Sequence, residues 1–385
     1  MSMYRFGYAF GKFSIALLLG CLFLGQANAG QTVTITDLAG RSVEINVPVE
    51  KLILGEGRYL PSLAILDRKD PTQRVVGMMG EFEKYDPASY GQYSRRYPRL
   101  DDIPRIGGSN SSSFSLEQAL SVAPDVAFFG LSSGHGPNDK DKQLLATLEA
   151  AGVPVVILDF RIDPLVNTPK SIEILGKLLG RENEAEEFLA FYREQLDLVT
   201  DALPNEFTRP MVFMESRVGL GAECCEAIGE RMMGRFIDAA GGRNVFGEMI
   251  PGTHGSVSRE YLLLNEPEVY IGTAIGSTMT DERFPQFIQL GANTDKDRAE
   301  KSLMAALSRP ELRELEAVKQ GKAYAIWHHF YNSPMNVVAV QVMAKWLHPD
   351  RFRFLAPEET LGTYFDRFQP VPLDGVYWAA SVQGK

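Results

Sequence analysis

The sequence is poor in cysteine and in positive charge. Only three of its 385 residues are cysteines, and Cys224 and Cys225 are adjacent, which excludes a small scaffold held by several disulfides. Acidic side chains outnumber basic ones and the net charge is -10, which argues against a nucleic-acid-binding protein. After the first 29 residues, no apolar run approaches the length of about 18 residues that suggests a membrane-spanning helix.

The first 29 residues have the pattern of a secretory signal peptide. Arg5 and Lys12 precede an apolar run at 15–24, and Ala27-Asn28-Ala29 forms a small-residue cleavage site. We expect an exported, periplasmic protein that starts at Gly30 with a net charge of -12, since the segment removes two basic residues. Lipid attachment at Cys21 is the alternative, which we disfavour because the apolar run continues beyond it.

The strongest helical pattern lies at 183–203. Asn183 and Glu186 have the spacing of a capping box, and Pro204 ends the pattern. Apolar residues recur every three or four positions and form one stripe along about 30 Å of helix. Strand-and-helix patterns occur on both sides, so we interpret this segment as a rigid connection between two lobes.

The first lobe alternates strands and helices, which predicts a parallel sheet with helices on both faces, preceded by a hairpin at 32–47. Ligands of such sheets bind beyond the carboxyl ends of the strands. This edge holds Arg161 and the candidate binding residues Arg58, Tyr59, Ser132 and His135. The Tyr- and Arg-rich segment 82–106 has no regular period, and we favour a surface loop there over a binding lid.

One motif suggests a different function. Residues 130–134 read G-L-S-S-G and follow a strand, as the nucleophile elbow of a serine hydrolase does. An elbow needs a helix to start at once, whereas His135-Gly-Pro-Asn138 follows here. A hydrolase that uses Ser132 is therefore the minor alternative.

The second lobe repeats the alternation of strands and helices. The strand at 210–215 leads to Arg217 and then to Cys224 and Cys225, which could form a disulfide, stay as thiols or contact a ligand. The strand at 323–327 leads to a cluster of versatile contact side chains, Trp327, His328, His329 and Tyr331. Because neighbours on a strand point to opposite faces, we expect at most one of the two histidines in a cleft.

Several segments, in the right order along nearly the whole mature chain, resemble the periplasmic substrate-binding proteins of ferric siderophore and cobalamin ABC importers. The first half contributes T-I-T-D-L-A-G-R at 34–41, L-E-Q-A-L-x-x-x-P-D-V at 116–126, A-G-V-P-V-V at 151–156 and L-G-x-x-x-G-R at 175–181. The second half contributes F-I-D-A-A-G-G-R-N at 236–244, V-S-R-E-Y-L-L at 257–263 and L-E-A-V-K-Q-G-K at 315–322.

The resemblance implies an α/β fold of two lobes, each with a parallel-rich sheet flanked by helices, joined by one long helix. The expected divisions are a signal peptide at 1–29, an N-terminal lobe at 30–168, a connecting segment at 169–204 and a C-terminal lobe at 205–385. It also implies that Glu117 on one lobe and Glu260 on the other face arginines of the membrane permease, where charge pairing fixes orientation.

The resemblance further implies a monomer without catalytic activity or cofactor, which captures a ferric siderophore and delivers it to a permease and ATPase complex. The chelator wraps its iron, so no metal ligands are expected from the protein. Arg58 and Arg217 are the candidates for binding an anionic chelate, with Tyr59, Trp327 and Tyr331 as walls. Haem, cobalamin or another metal chelate are the alternatives, for which His329 or Tyr331 could coordinate the metal.

Overall fold

The computed structural model describes residues 1–3, 7, 31–132, 134–219, 225–275 and 287–381. Gln31–Lys385 forms one compact unit, and Met1–Gly30 is a separate unit described only at 1–3 and 7. The predicted signal peptide therefore lies almost entirely outside the described residues. In the described part of the chain, no helix is long and apolar enough to cross a membrane.

The first lobe begins with the predicted hairpin, in which β1 (Gln31–Thr36) pairs antiparallel with β2 (Ser42–Val47). A five-stranded sheet follows, and its pairings are all parallel. Its strands are β3 (Leu52–Leu54), β4 (Val75–Met79), β5 (Arg105–Gly107), β6 (Val126–Gly130) and β7 (Val155–Leu158). The spatial order is β5-β4-β3-β6-β7, so the winding direction reverses between β3 and β6. Such a reversal opens a crevice at the carboxyl ends of the two strands.

Six helices surround this sheet: α1 (Leu60–Leu66), α2 (Glu81–Tyr85), α3 (Pro87–Arg96), α4 (Arg99–Asp102), α5 (Leu116–Ser121) and α6 (Lys142–Ala150). Three of them occupy 82–106, so the prediction of an irregular surface loop there was wrong. Phe82, Tyr90 and Tyr93 are buried in the core. Each of these helices has ten residues or fewer, and Pro87 opens the longest of them, so no single helical period shows in the sequence.

Two long helices, α7 (Pro164–Leu179) and α8 (Glu182–Thr200), separate the two sheets along the chain. The predicted helix at 183–203 exists as α8, although it begins and ends earlier. Arg181 occupies the N-cap position without a side-chain bond, so the predicted Asn183 cap was wrong. Gly180 caps the end of α7 at φ 64°, and only Gly180 and Arg181 lie between the two helices. The apolar stripe of α8 is buried as the pattern predicted, with Phe188 fully enclosed.

The second lobe is built on a seven-stranded mixed sheet. Its strands are β8 (Met211–Glu215), β9 (Glu226–Ile228), β10 (Arg243–Asn244), β11 (His254–Ser256), β12 (Val269–Ala274), β13 (Ala323–Trp327) and β14 (Trp378–Ala380). The order is β11-β9-β8-β12-β13-β14, and β10 also pairs with β8. Strands β10, β8, β12 and β13 run parallel, whereas β9, β11 and β14 pair antiparallel at the edges. The predicted two-lobed α/β fold with parallel-rich sheets is confirmed.

The helices of this lobe are α9 (Gly234–Ala239), α10 (Arg259–Leu264), α11 (Lys296–Leu307), α12 (Glu316–Lys319), α13 (Asn336–Leu347) and α14 (Pro357–Phe368). Short 3-10 helices occupy Gly57–Tyr59, Ser111–Ser113, Gly247–Met249 and His328–Asn332. The segment after α14 returns to the first lobe, where the side chain of Gln369 donates to the carbonyl of Pro61 at 3.1 Å. The hydroxyl of Tyr93 on α3 in turn donates to Gln369.

Candidate functional site

A cleft lies where the carboxyl ends of strands from both sheets meet. The empty space of this cleft, including the part that is open to solvent, is about 550 Å³. The first lobe contributes residues after β6 and β7 and at the end of α2, and the second lobe contributes residues after β8 and β13. The lining residues are Tyr85, His135, Arg161, Ser216, Arg217, Met232, His254, Ile275, His328, His329 and Tyr331.

Arg58 lies behind this wall, in the turn that follows β3. Its side chain is 4% exposed and reaches across to the second lobe. There Nη1 donates to Nδ1 of His329 at 2.7 Å and to the hydroxyl of Tyr331 at 3.0 Å. On its own lobe, Nη2 lies 3.4 Å from a carboxylate oxygen of Glu56, and the backbone N–H donates to Glu81 at 3.0 Å. The structure thus places Arg58 at the back of the cleft, already bonded on both sides.

The bonds of His329 determine its tautomer. A guanidinium has only donors, so Nδ1 of His329 accepts from Arg58 and the ring proton is on Nε2. Nε2 then donates to the backbone carbonyl of Tyr85 at 3.2 Å. Burial, together with the positive charge of Arg58, holds the pKa of His329 well below its usual value. Because both ring nitrogens are occupied, the predicted role of His329 as a metal ligand does not fit this geometry.

His328 and His329 both line the cleft, so the expectation of at most one cleft histidine was wrong. The strand ends at Trp327, and the two histidines belong to a 3-10 helix, where neighbouring side chains do not alternate between faces. Nδ1 of His328 lies 2.9 Å from the hydroxyl of Thr273 on β12. Burial is the main cause that keeps the pKa of His328 well below normal.

Arg161 follows β7 and faces the ring of Tyr331. Its guanidinium carbon lies 4.9 Å from the ring centroid, and Nη1 donates to the Tyr331 hydroxyl at 3.4 Å. Nε is buried and has no hydrogen-bond partner in the described ranges. Among the described residues, no carboxylate lies within ion-pair distance of this guanidinium. The nearby Asp159 accepts from the backbone N–H of Arg161 and not from its side chain. Within the described part of the chain, the positive charge that Arg161 brings to the cleft therefore has no carboxylate to compensate it.

Arg217 approaches the cleft from the second lobe. Its φ of 47° lies in the left-handed region, and its backbone N–H donates to the Thr273 hydroxyl at 2.7 Å. Nη2 lies 2.7 Å from both carboxylate oxygens of Glu226, so its charge is paired. The same carboxylate lies 3.2 Å from Nε2 of His254. Arg217 therefore lines the cleft as predicted. Its positive charge is paired with Glu226, whereas Arg161 has no carboxylate partner among the described residues.

His135 reaches the cleft on a loop that passes unusually close to the turn after β3. Its backbone N–H donates to Glu56 at 3.1 Å, and its ring stacks obliquely on Tyr85 with the centroids 4.7 Å apart. A Cβ at Gly134 would lie 2.0 Å from a carboxylate oxygen of Glu56. Burial, followed by the charges of Arg58 and Arg161, lowers the pKa of His135 to about 2. The loop thus presents a neutral imidazole.

The same loop contradicts a nucleophile elbow. The next helix, α6, begins only at Lys142, so no helix starts directly after the G-x-S-x-G motif. The backbone N–H of Ser132 donates to Asp139, and Ser132 is not among the residues that line the cleft. Close approach to Glu56 explains the second glycine of the motif without a catalytic role.

Glu81 on α2 is a fully buried carboxyl group beside Arg58. Burial and the negative charge of Glu56 raise its pKa to about 8, although Arg58 acts in the opposite direction. Glu81 is thus largely protonated at neutral pH.

The remaining predicted site residues lie elsewhere. Tyr59 is buried in the first lobe against Phe160, with the ring centroids 5.3 Å apart, and does not line the cleft. Trp327 packs edge-on against Tyr377 and lines an inner cavity behind His329. Cys225 is buried and disulfide-bonded, and its backbone pairs with Val257. Cys224 lies outside the described residues.

The two glutamates that were predicted to meet a permease lie in matching positions. Glu117 is exposed in the first turn of α5, behind the N-cap Ser115, and Glu260 is exposed in the first turn of α10, behind the N-cap Ser258. Backbone N–H groups and Ser258 lower the pKa of Glu260. Each helix is only six residues long. Both carboxylates are thus available to a partner of positive charge.

Sequence reasoning did not select three important cleft residues. Arg161 was placed at the correct edge of the sheet but was not chosen as a candidate for binding. Tyr85 was hidden in the segment interpreted as a loop, and His254 lies on the edge strand β11, far from any motif. The position of Arg161 directly after a buried strand was the one signal that could have identified it.

The sequence profile of a family described as periplasmic binding protein matches residues 83–327, more than half of the chain. The chain belongs to the periplasmic binding protein family. Its predicted resemblance to ferric siderophore-type binding proteins is thereby confirmed at the level of the family. No curated protein matches the sequence significantly.

Solved structures of periplasmic binding proteins have the same fold. FepB, a TroA-like periplasmic binding protein from Veillonella parvula, superposes with a TM-score of 0.80 at 24% identity over 91% of this chain and 100% of that one. MolA from Haemophilus influenzae, solved with molybdate, gives 0.65 at 18% identity over 89% and 99%. RhuT, a periplasmic heme-binding protein from Roseiflexus, gives 0.54 at 18% identity over 78% and 99%. At these identities the likeness concerns the fold.

Proposed function

We propose that this periplasmic binding protein captures an anionic ferric siderophore in the cleft between its lobes and delivers it to an ABC permease and ATPase complex. The observation that carries the proposal is Arg161, a guanidinium at the cleft with no carboxylate partner among the described residues. Guanidinium groups bind carboxylate and catecholate oxygens through charge-assisted hydrogen bonds. An anionic ligand would supply the partner that Arg161 does not find among the described residues.

The other cleft side chains support a ligand that brings its own metal. The imidazoles of His135 and His328 have lowered pKa values and are neutral, so they add hydrogen-bonding capacity without charge. The rings of Tyr85 and Tyr331 offer aromatic surface to a planar chelate. A chelate whose iron is already wrapped needs such contacts and no metal ligands from the protein. The proposal is supported by neighbours of the same fold, of which one is described as bound to molybdate and another as heme-binding.

Delivery to a permease is the second part of the proposal. Glu117 and Glu260, exposed on short helices of separate lobes, would each meet a basic side chain of the permease. Paired charges of this kind steer association and set orientation more than they add affinity. No chemical reaction is proposed for the chain itself.

The ligand can be tested with the purified mature protein. Titration with ferric catecholate and ferric carboxylate siderophores should quench tryptophan fluorescence, and mass spectrometry of protein isolated from iron-starved cells should detect the bound chelate. Haem and cobalamin serve as competing ligands in the same assay. Absence of a response to every siderophore, together with a Soret shift on addition of haem, would replace the siderophore proposal with haem binding.

A further inference from the structure

Three side chains of the second lobe are bonded to two charged side chains of the first lobe behind the cleft. Arg58 donates to His329 and Tyr331, and the amide of Asn332 donates to Glu56 at 3.1 Å. His329, Tyr331 and Asn332 all belong to the 3-10 helix that follows β13. We call these three interlobe bonds the latch. It joins the turn after β3 to one segment of five residues.

The latch is buried, with Arg58, Glu56 and Asn332 all at most 5% exposed. In such surroundings a charged group that loses its partner without gaining water is costly, often by several kcal/mol. Full separation of the lobes would hydrate the same groups. Intermediate separations would leave them unpaired, so the latch favours two arrangements, closed and open, over those between them.

We propose that Arg58 is a positioning residue, which holds His329 and Tyr331 in place as walls of the cleft and keeps the two lobes closed. The sequence suggested instead that Arg58 contacts the ligand. The structure favours positioning because both terminal nitrogens of Arg58 are engaged by protein groups and its side chain stays behind His329. The inference rests on the two-lobed fold and holds whatever the ligand is.

Neutral His329 is a requirement of this arrangement. A proton on Nδ1 would remove the acceptor of Arg58 and place two cations 2.7 Å apart. The charged and titratable groups around the ring are Arg58, which is bonded to it, the cleft residues Tyr85, His135, Arg161, Arg217, His328 and Tyr331, and Asp86, which lines the inner cavity with it. Glu56 and Glu81 lie on the other side of Arg58. A released imidazole would regain a pKa near 6.5, so the closed state should lose up to about tenfold in relative population per pH unit below that value.

Trp327 provides a readout that needs no ligand. It is 5% exposed, lies 5.4 Å from His329 between ring centroids, and lines an inner cavity that first-lobe residues Pro61 and Phe82 also line. Opening of the lobes should expose it to solvent. The chain has three tryptophans, so a parent protein with W346F and W378F reports on Trp327 alone.

In this parent, R58M should shift the emission to the red and increase acrylamide quenching several-fold at pH 7.5. N332D, which sets a carboxylate against Glu56, should do the same and provides an independent variant if R58M folds poorly. H329Q can still accept from Arg58 and donate to Tyr85, so its emission at pH 7.5 should match the parent. Circular dichroism would verify that each variant is folded.

The pH dependence of acrylamide quenching distinguishes a positioning role of Arg58 and His329 from a merely structural role. Between pH 7.5 and 5, quenching should rise in the parent and in H348Q, whose histidine lies outside the cleft, and should rise less in H329Q. Folded R58M and N332D proteins with the parent's quenching would overturn the latch. Identical pH profiles for H329Q and the parent would overturn the role of His329 in it.

Discussion

Tyr192 on α8 donates its hydroxyl proton to the side-chain oxygen of Asn336 on α13 at 2.7 Å, and both side chains are buried. Asn336 in turn donates to the hydroxyl of Thr168 on α7 at 3.1 Å. On the opposite side, Glu187 of α8 accepts from Arg68, which follows α1 in the first lobe. Helix α8 therefore makes hydrogen bonds or ion pairs with elements of both lobes, and the rigidity of this connection stays a prediction.

Tyr192→Phe should lower the free energy of unfolding by about 1–3 kcal/mol, because the buried oxygen of Asn336 would lose its donor. Urea denaturation of the mature protein measures this directly. Tyr261→Phe is the matched control, since Tyr261 is partly exposed on α10. Equal stability of the two variants would show that the hydrogen bond contributes nothing.

Arg161→Ala should weaken binding of an anionic chelate by about 1.5–3 kcal/mol, the typical contribution of a hydrogen bond to a charged group. We expect Arg217→Ala to have a smaller effect, because Glu226 already pairs with Arg217. Arg209→Ala, on the surface away from the cleft, should leave affinity unchanged. Isothermal titration calorimetry would rank the three variants, and a larger loss for Arg217 would contradict the assignment of Arg161.

Glu81 should make stability depend on pH. Its pKa is about 8 in the folded protein and about 4.3 in an unfolded chain, so the folded state holds more protons between these values. The free energy of unfolding should therefore fall as pH rises from about 4 to 8 and level off above. Glu81→Gln should flatten this profile, whereas Glu83→Gln, at an exposed neighbour, should not. Parallel urea-midpoint profiles for the wild type and Glu81→Gln would refute the prediction.

Glu117→Ala combined with Glu260→Ala should abolish uptake in cells and leave ligand affinity intact, because both carboxylates are exposed and lie outside the cleft. Glu44→Ala with Glu358→Ala changes the same charge at other exposed positions and should preserve uptake. Radioactive iron accumulation measures transport, and calorimetry measures binding. Normal uptake by the first pair would remove these two residues from the docking surface.

The sequence correctly predicted the helices and strands whose apolar residues follow a regular local pattern. The apolar stripe of α8 and the strand at 323–327 were found because burial of one face imposes a period on the residues that form it. The segment 82–106 was misinterpreted because its short helices are held by burial of Phe82, Tyr90 and Tyr93, which no local period reveals. The N-cap of α8 is Arg181 and not the predicted Asn183, because Gly180 ends the preceding helix directly before it.

The sequence by itself determined the two-lobed α/β fold and which strand ends carry polar and aromatic side chains. Only the tertiary structure decided how these side chains are used. It paired Arg58 and Arg217 with carboxylates, gave Arg161 no carboxylate partner among the described residues, and turned both His328 and His329 toward the cleft. The physical reason is that the charge available to a ligand depends on which groups the fold brings within a few ångströms of a side chain. Local pattern does not reveal these contacts even where the partner is near in the chain, as Glu56 is to Arg58 and Glu226 to Arg217.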